Sequence, residues 1–191
     1  MDDISDDELY SMYADGDVEA FDTLFDRHRN SVFNFACTML KDFTKAEDVM
    51  QETFLSVARA AKSYEPRGRF RTWMMKIVRN SCLNRIESER RRRAAIAESS
   101  LEFITPSSPE PPSLERIETD ERVAVICRAI SNLPERQREA IALYAFEQMQ
   151  YKEIAQVLDM PINTVKTLIH RARASLACSL DPPRRALGEN L

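Results

Sequence analysis

Between Met160 and Leu180 the chain carries no carboxylate, while Lys166, Thr167, His170, Arg171 and Arg173 recur there among apolar positions. Cationic and hydroxyl donors in that density suit the holding of phosphate oxygens and the reading of base edges. Val165, Leu168, Ile169, Ala172 and Leu176 follow the i, i+3, i+4 rule, so one helix would bury that stripe and turn its donors outward. Ahead of it, Ile154, Ala155 and Leu158 predict a shorter helix from Tyr151. Asp159, Met160 and Pro161 predict a turn, because proline disfavours a helical conformation at the residue before it. Tyr151 to Leu176 therefore reads as a helix-turn-helix shaped for a nucleic-acid groove. An ordinary amphipathic hairpin is the competing reading, but surface helices usually interleave Glu with Lys.

A second row has the opposite sign. Asp48, Gln51, Glu52 and Leu55 stand at i, i+3, i+4 and i+7, which puts two carboxylates, an amide and an apolar anchor on one helix face. Such a face suits docking to another protein; a solvated carboxylate row is the plainer alternative. Catalysis finds no support, because the chain has no phosphate-cradling Gly-rich loop and its two histidines, His28 and His170, are isolated. Cys37, Cys82, Cys127 and Cys178 lie far apart with no CxxC pair, so free thiols in a reducing compartment are expected, without metal or cofactor.

The elements that must carry these rows are helical. Only 3 glycines in 191 residues argue for an all-α chain, since sheets with many turns need more. A first helix is expected from Val18 to about Leu40, with Phe21, Leu24, Phe25, Val32, Phe35, Ala36 and Met39 inward. Thr44 and Glu47 read as a capping box that opens a second helix. Residues 62–69, KSYEPRGR, hold Pro66 and Gly68 and predict a loop. A third helix follows from Phe70 to Arg93, with Trp73 in its inner stripe as a core residue. Residues 98–113 hold Pro106, Pro109, Pro111 and Pro112 among Ser and Glu, which is the composition of a flexible linker. Helices over about 114–131 and 135–146, with Pro134 in a first turn, then complete a four-helix domain around the helix-turn-helix. The expected organisation is two small helical domains over 1–95 and 114–180, a linker over 96–113, and a tail over 181–191.

Charge is segregated along the chain. The net charge is −4, but the ten acidic residues up to Asp26 meet no Lys or Arg, and Arg67 to Arg93 holds ten basic residues against Glu87 and Glu89. Seven acids between Glu98 and Glu121 face Arg116 alone, and the last third turns basic again. Two basic patches divided by an acidic strip imply two contacts with a polyanion. No apolar run approaches the roughly 20 residues of a membrane span, and the acidic start lacks the parts of a signal peptide, so a cytoplasmic protein is expected.

Five stretches together resemble the extracytoplasmic-function (ECF) class of the sigma-70 family of bacterial RNA polymerase sigma factors. They are Ala20–Arg29 (AFDTLFDRHR), Ala46–Leu55 (AEDVMQETFL), Phe70–Arg93 (opening FRTWMMKIVRN and closing in the Arg run), Leu133–Leu143 (LPERQREAIAL) and Tyr151–Leu176. The likeness spans nearly the whole length, and its order, spacing and Pro-rich interruption make it specific. It implies that Asp48, Gln51 and Glu52, beside Leu55, grip the β′ clamp helices of core polymerase, with the β flap as a further polymerase contact. It implies that the loop and third helix face the minus-ten element through Tyr64, Arg67, Arg69, Arg79, Asn80 and Arg85. There Tyr64 offers a stacking face for an unpaired base, worth about 1–3 kcal/mol, and Asn80 an amide for a base edge. The run Arg90 to Arg93 meets phosphate or serves the helix dipole. Lys166, Thr167, His170, Arg171 and Arg173 are implied to meet the minus-thirty-five element, with His170 departing from the aromatic of some relatives. An anti-sigma partner is implied as well. The rival reading is a stand-alone helix-turn-helix regulator, which would footprint its operator without polymerase.

Overall fold

The computed structural model describes residues 4–64, 69–99 and 121–180. Among these every regular element is helical, as the glycine-poor composition implies. The first unit holds α1 (Asp6–Ala14), α2 (Val18–Leu40), α3 (Phe43–Arg59), a 3-10 turn (Ala61–Ser63) and α4 (Phe70–Ser99). The second holds α5 (Glu121–Ser131), α6 (Glu135–Ala145), α7 (Tyr151–Leu158) and α8 (Ile162–Leu180). The expected linker and tail lie outside the described residues, except that α4 runs on to Ser99, past the expected boundary at 95.

α1 is absent from the sequence expectation, although its signal is present. Ser5 and Glu8 form a reciprocal capping box: the Ser5 backbone N–H donates to Glu8 Oε2 at 3.0 Å and the Glu8 N–H to Ser5 Oγ at 3.3 Å. Leu9 and Tyr10 follow and are buried. Tyr10 Oη donates to the Val57 carbonyl at 2.5 Å, and its ring meets Tyr64, Phe70 and Trp73 with centroids 4.9, 4.9 and 5.6 Å away. This aromatic cluster ties α1 to α3 and to the start of α4. Gly16, at φ +110°, turns the chain into α2, whose first N–H groups are capped by Asp17.

The cap of α3 differs from expectation. Asp42 fills it, its Oδ1 accepting from the Lys45 N–H at 3.1 Å, so the helix starts ahead of Thr44. A short carboxylate just outside the first turn competes better for that N–H than a hydroxyl already within the helix. Leu24, Val32 and Phe35 of α2, Val49, Phe54 and Val57 of α3, and Phe70, Met74, Val78 and Cys82 of α4 build the first core. Burying each large apolar side chain there contributes about 1.5–3 kcal/mol. Trp73 is half-buried at its edge, consistent with a packing role.

In the second unit, Leu143 of α6, Ile154, Val157 and Leu158 of α7, and Val165, Ile169 and Ala172 of α8 bury one shared face. Asp159 ends α7 in the left-handed conformation, φ 54°, and its N–H reaches the Ala155 carbonyl, which makes the sharp corner of the helix-turn-helix. The two units are in contact: α4 packs against α7, and α2 against α5 and α6.

Candidate functional site

The acidic row forms as expected. Asp48, Gln51, Glu52 and Leu55 are all exposed on α3, Leu55 at 54%. One cation threads through the row: Arg85 of α4 donates to Asp48 Oδ2 at 3.0 Å and to Glu52 Oε1 at 2.7 Å. Arg85 was expected to meet promoter DNA, and in the fold its guanidinium is paired with Asp48 and Glu52 of α3. It thereby ties two carboxylates of α3 to α4.

The expected DNA face of the first unit is divided. Asn80 is exposed on α4, but Arg79 is 7% exposed and pairs with Glu139 of the second unit at 3.4 Å. Arg69 is exposed, whereas Arg67 lies outside the described residues. Tyr64 is half-buried, its ring against Trp73 at 4.7 Å and Tyr10, its hydroxyl donating to Asp7 Oδ1 at 2.9 Å. Burial first, and then that carboxylate, pushes the Tyr64 phenol above its ordinary range. Tyr64 thus packs between α1 and α4 and has less of its ring free than the sequence implied.

Sequence reasoning missed the residues that hold Tyr64 and the start of α4. Asp7 accepts the Tyr64 hydroxyl and the N–H groups of Arg69 and Phe70, at 2.9, 3.3 and 3.2 Å, so a side chain of α1 caps α4. Asp6 meets Arg27 at 2.5 Å and His28 Nε2 at 2.8 Å. Burial would raise the Asp6 carboxyl, but His28 and Arg27 outweigh it and hold the group below its usual range. No local spacing signals such contacts across more than twenty residues. Arg71 was missed too, and it pairs with the buried Glu147 at 3.3 Å.

On α8 the expected division holds. Lys166, Thr167, His170, Arg171 and Arg173 are exposed, while Val165, Ile169 and Ala172 are buried behind them. Thr167 returns its hydroxyl to the Asn163 carbonyl at 2.9 Å, which leaves an oxygen lone pair outward. Arg173 lies 4.6 Å over the Tyr144 ring, so its guanidinium is steadied against α6. Of the described cysteines Cys82 is buried, Cys37 half-buried and Cys178 exposed, and burial pushes the Cys37 and Cys82 thiols up to about 12. Among the described residues no group of His, Cys, Asp and Glu could hold a metal ion, and no helix is long and apolar enough to cross a membrane.

Comparison with known proteins meets this geometry on both units. Residues 24–92 match the family model of Sigma-70 region 2, and residues 124–176 that of Sigma-70 region 4. The RNA polymerase sigma-H factor of Pseudomonas aeruginosa is 30% identical over 186 residues, covering 93% of this chain and 94% of that protein. The ECF sigma-E factor of Haemophilus influenzae is 28% identical, with 94% and 97% covered. Among solved structures, CnrH in complex with the cytosolic domain of CnrY has a TM-score of 0.68 at 26% identity, over 92% of this chain and 97% of that one. The sigma factor RpoE with the anti-sigma factor NepR from Bartonella quintana has a TM-score of 0.64 at 25% identity, over 86% and 98%.

Proposed function

The chain belongs to the ECF class of the sigma-70 family of RNA polymerase sigma factors, and from that premise we propose how its surfaces divide the work of starting a transcript. As a sigma factor it joins core RNA polymerase and directs promoter recognition. The row Asp48, Gln51, Glu52 and Leu55 docks on the β′ clamp helices, with Arg85 as the residue that positions it. What supports this is the shared exposure of two carboxylates, an amide and an apolar side chain on one face of α3. The start of α4 and its loop, through Arg69, Arg79, Asn80 and Arg71, meet the minus-ten element, and Tyr64 shapes the pocket for a displaced base.

α8 enters the major groove at the minus-thirty-five element, where Lys166, Thr167, His170 and Arg171 reach bases and phosphates. The observation that carries this reading is the acid-free exposed face of α8 over a buried stripe of its own. The chain makes and breaks no covalent bonds; nucleotide addition stays with the polymerase, and the factor lowers the cost of opening the promoter. Its work is cytoplasmic, where polymerase is. CnrH and RpoE were solved with CnrY and the anti-sigma factor NepR, which supports control of this chain by an anti-sigma protein.

The test is transcription from a genomic fragment library with core polymerase, with and without the purified chain, and sequencing of the new 5′ ends. New start sites sharing two upstream elements are expected. Start sites unchanged by the chain, or an operator footprint made by the chain without polymerase, would overturn this reading in favour of a stand-alone regulator.

A further inference from the structure

Of the α8 cations Lys166, Arg171 and Arg173, only Arg173 has a side-chain partner among the described residues. Its guanidinium carbon lies 4.6 Å from the centroid of the Tyr144 ring, on α6. That ring is itself held. It stacks on Tyr151 of α7, with centroids 5.4 Å apart and planes 13° from parallel. The turn between α6 and α7 brings the two rings together. In it Gln148 takes the left-handed conformation, φ 52°, and its amide donates to the Ala145 carbonyl at 2.8 Å. Next to it Met149 is buried, and its N–H donates to the Leu143 carbonyl at 3.1 Å. Tyr151 then opens α7 behind a capping box, in which the Gln150 N–H donates to Glu153 Oε2 at 2.7 Å. One stack thus draws a side chain from each of three helices.

We infer that Tyr144 is a positioning residue for promoter binding: it holds the Arg173 guanidinium at the edge of α8, ready to meet a backbone phosphate. A free arginine gives up most of its rotamer freedom on binding phosphate, whereas a pre-placed one has already given it up. The kind of partner matters as well. Carboxylates occupy the N–H groups of a guanidinium, as Asp48 and Glu52 do for Arg85. An aromatic ring attracts the charge and leaves most of those donors free for phosphate oxygens. Arg173, and after it Tyr151, also draws the Tyr144 phenol below its ordinary range, in keeping with a cation this close. The inference rests on the reading of α8 as the helix that meets the minus-thirty-five element.

Holoenzyme titrated on a promoter fragment from the start-site experiment above tests it. Tyr144→Leu should weaken binding by about two- to fivefold, the factor by which a cation–π contact at an exposed site favours one position of the cation. Tyr144→Phe keeps the ring and should restore most of the loss. In a chain that already carries Arg173→Ala, Tyr144→Leu should cost nothing further, because the ring then has no cation to place. Lys166 is the matched control, on the same side of α8 as Arg173 but about two turns away. Lys166→Ala should cost the same in the parent and in the Tyr144→Leu chain, which a misfolded second unit could not give. Binding indifferent to Tyr144→Leu, a loss that persists beside Arg173→Ala, or unequal costs of Lys166→Ala overturn the positioning role and leave α8 on the promoter. If Lys166→Ala and Arg173→Ala both leave promoter binding unchanged, the reading of α8 falls and the inference with it.

Discussion

Arg85 is the residue at which local pattern and fold part company. Its place in a run of cations reads as a phosphate contact, but its guanidinium spans Asp48 and Glu52 on the neighbouring helix. The reassignment changes what a substitution should do. Asp48→Arg reverses charge in the exposed row and meets Arg85 with repulsion, so affinity for core polymerase should fall at least about tenfold, as losses at charged interface pairs run to several kcal/mol. Fluorescence anisotropy with labelled chain and core enzyme measures this, and unchanged affinity would remove the docking role from Asp48. The cysteines offer a second reading at this scale. Thiolate is the reactive form, and Cys37 and Cys82 are pushed up to about 12 by burial, whereas Cys178 is exposed near the end of α8. Iodoacetamide at neutral pH should mark Cys178 within minutes and leave Cys37 and Cys82 unmarked until denaturant is added, as peptide mass mapping will reveal.

α1 is the element that most clearly repays attention to its partners. Its nine residues are too few to persist alone, and two adjacent carboxylates fasten it at both flanks: Asp6 to Arg27 and His28 of α2, Asp7 to the loop and the start of α4. Because the Asp6 carboxyl lies below its unfolded value of about 3.9, its contribution is fully present above that pH and is lost as acid takes the solution through the lower folded value. Asp6→Asn should therefore unfold at a lower temperature than the parent at pH 7, with the gap closing once the pH is well under 4. A gap independent of pH would mean that the carboxylate charge is not what holds α1. The helical periods of α2, α4 and α8 were legible because each buries a stripe long enough to repeat, and the short α7 was placed by the turn at Asp159 to Pro161 that follows it. α1 was not, since only two adjacent residues of its nine, Leu9 and Tyr10, are buried, which shows no period. Asp42 displaced Thr44 as a cap for a related reason, since two good capping residues stand within one turn and only backbone geometry chooses between them.

At the scale of the whole molecule, the charge segregation seen in the sequence acquires a geometry. The exposed cations of α8 remain open, whereas on α4 Arg71 and Arg79 are paired with Glu147 and Glu139 of the second unit and the run Arg90 to Arg93 stays exposed. Local spacing could show that both patches exist; it could not show that Arg79 is taken up by a carboxylate of the second unit, because Arg79 and Glu139 are sixty positions apart and no periodicity links them. The consequence is measurable in salt. Each phosphate contact that releases a counterion adds about 0.9 to the slope of log affinity against log salt. Holoenzyme assembled with Lys166→Ala and Arg171→Ala should therefore bind a promoter fragment with a slope shallower by about 2, while its assembly with core enzyme is unchanged, since neither residue lies near the α3 row. Titrations between about 50 and 200 mM salt give the slope directly. A uniform loss of affinity at every salt concentration would instead mean that these two residues act on bases or on the fold of α8, and not on phosphate.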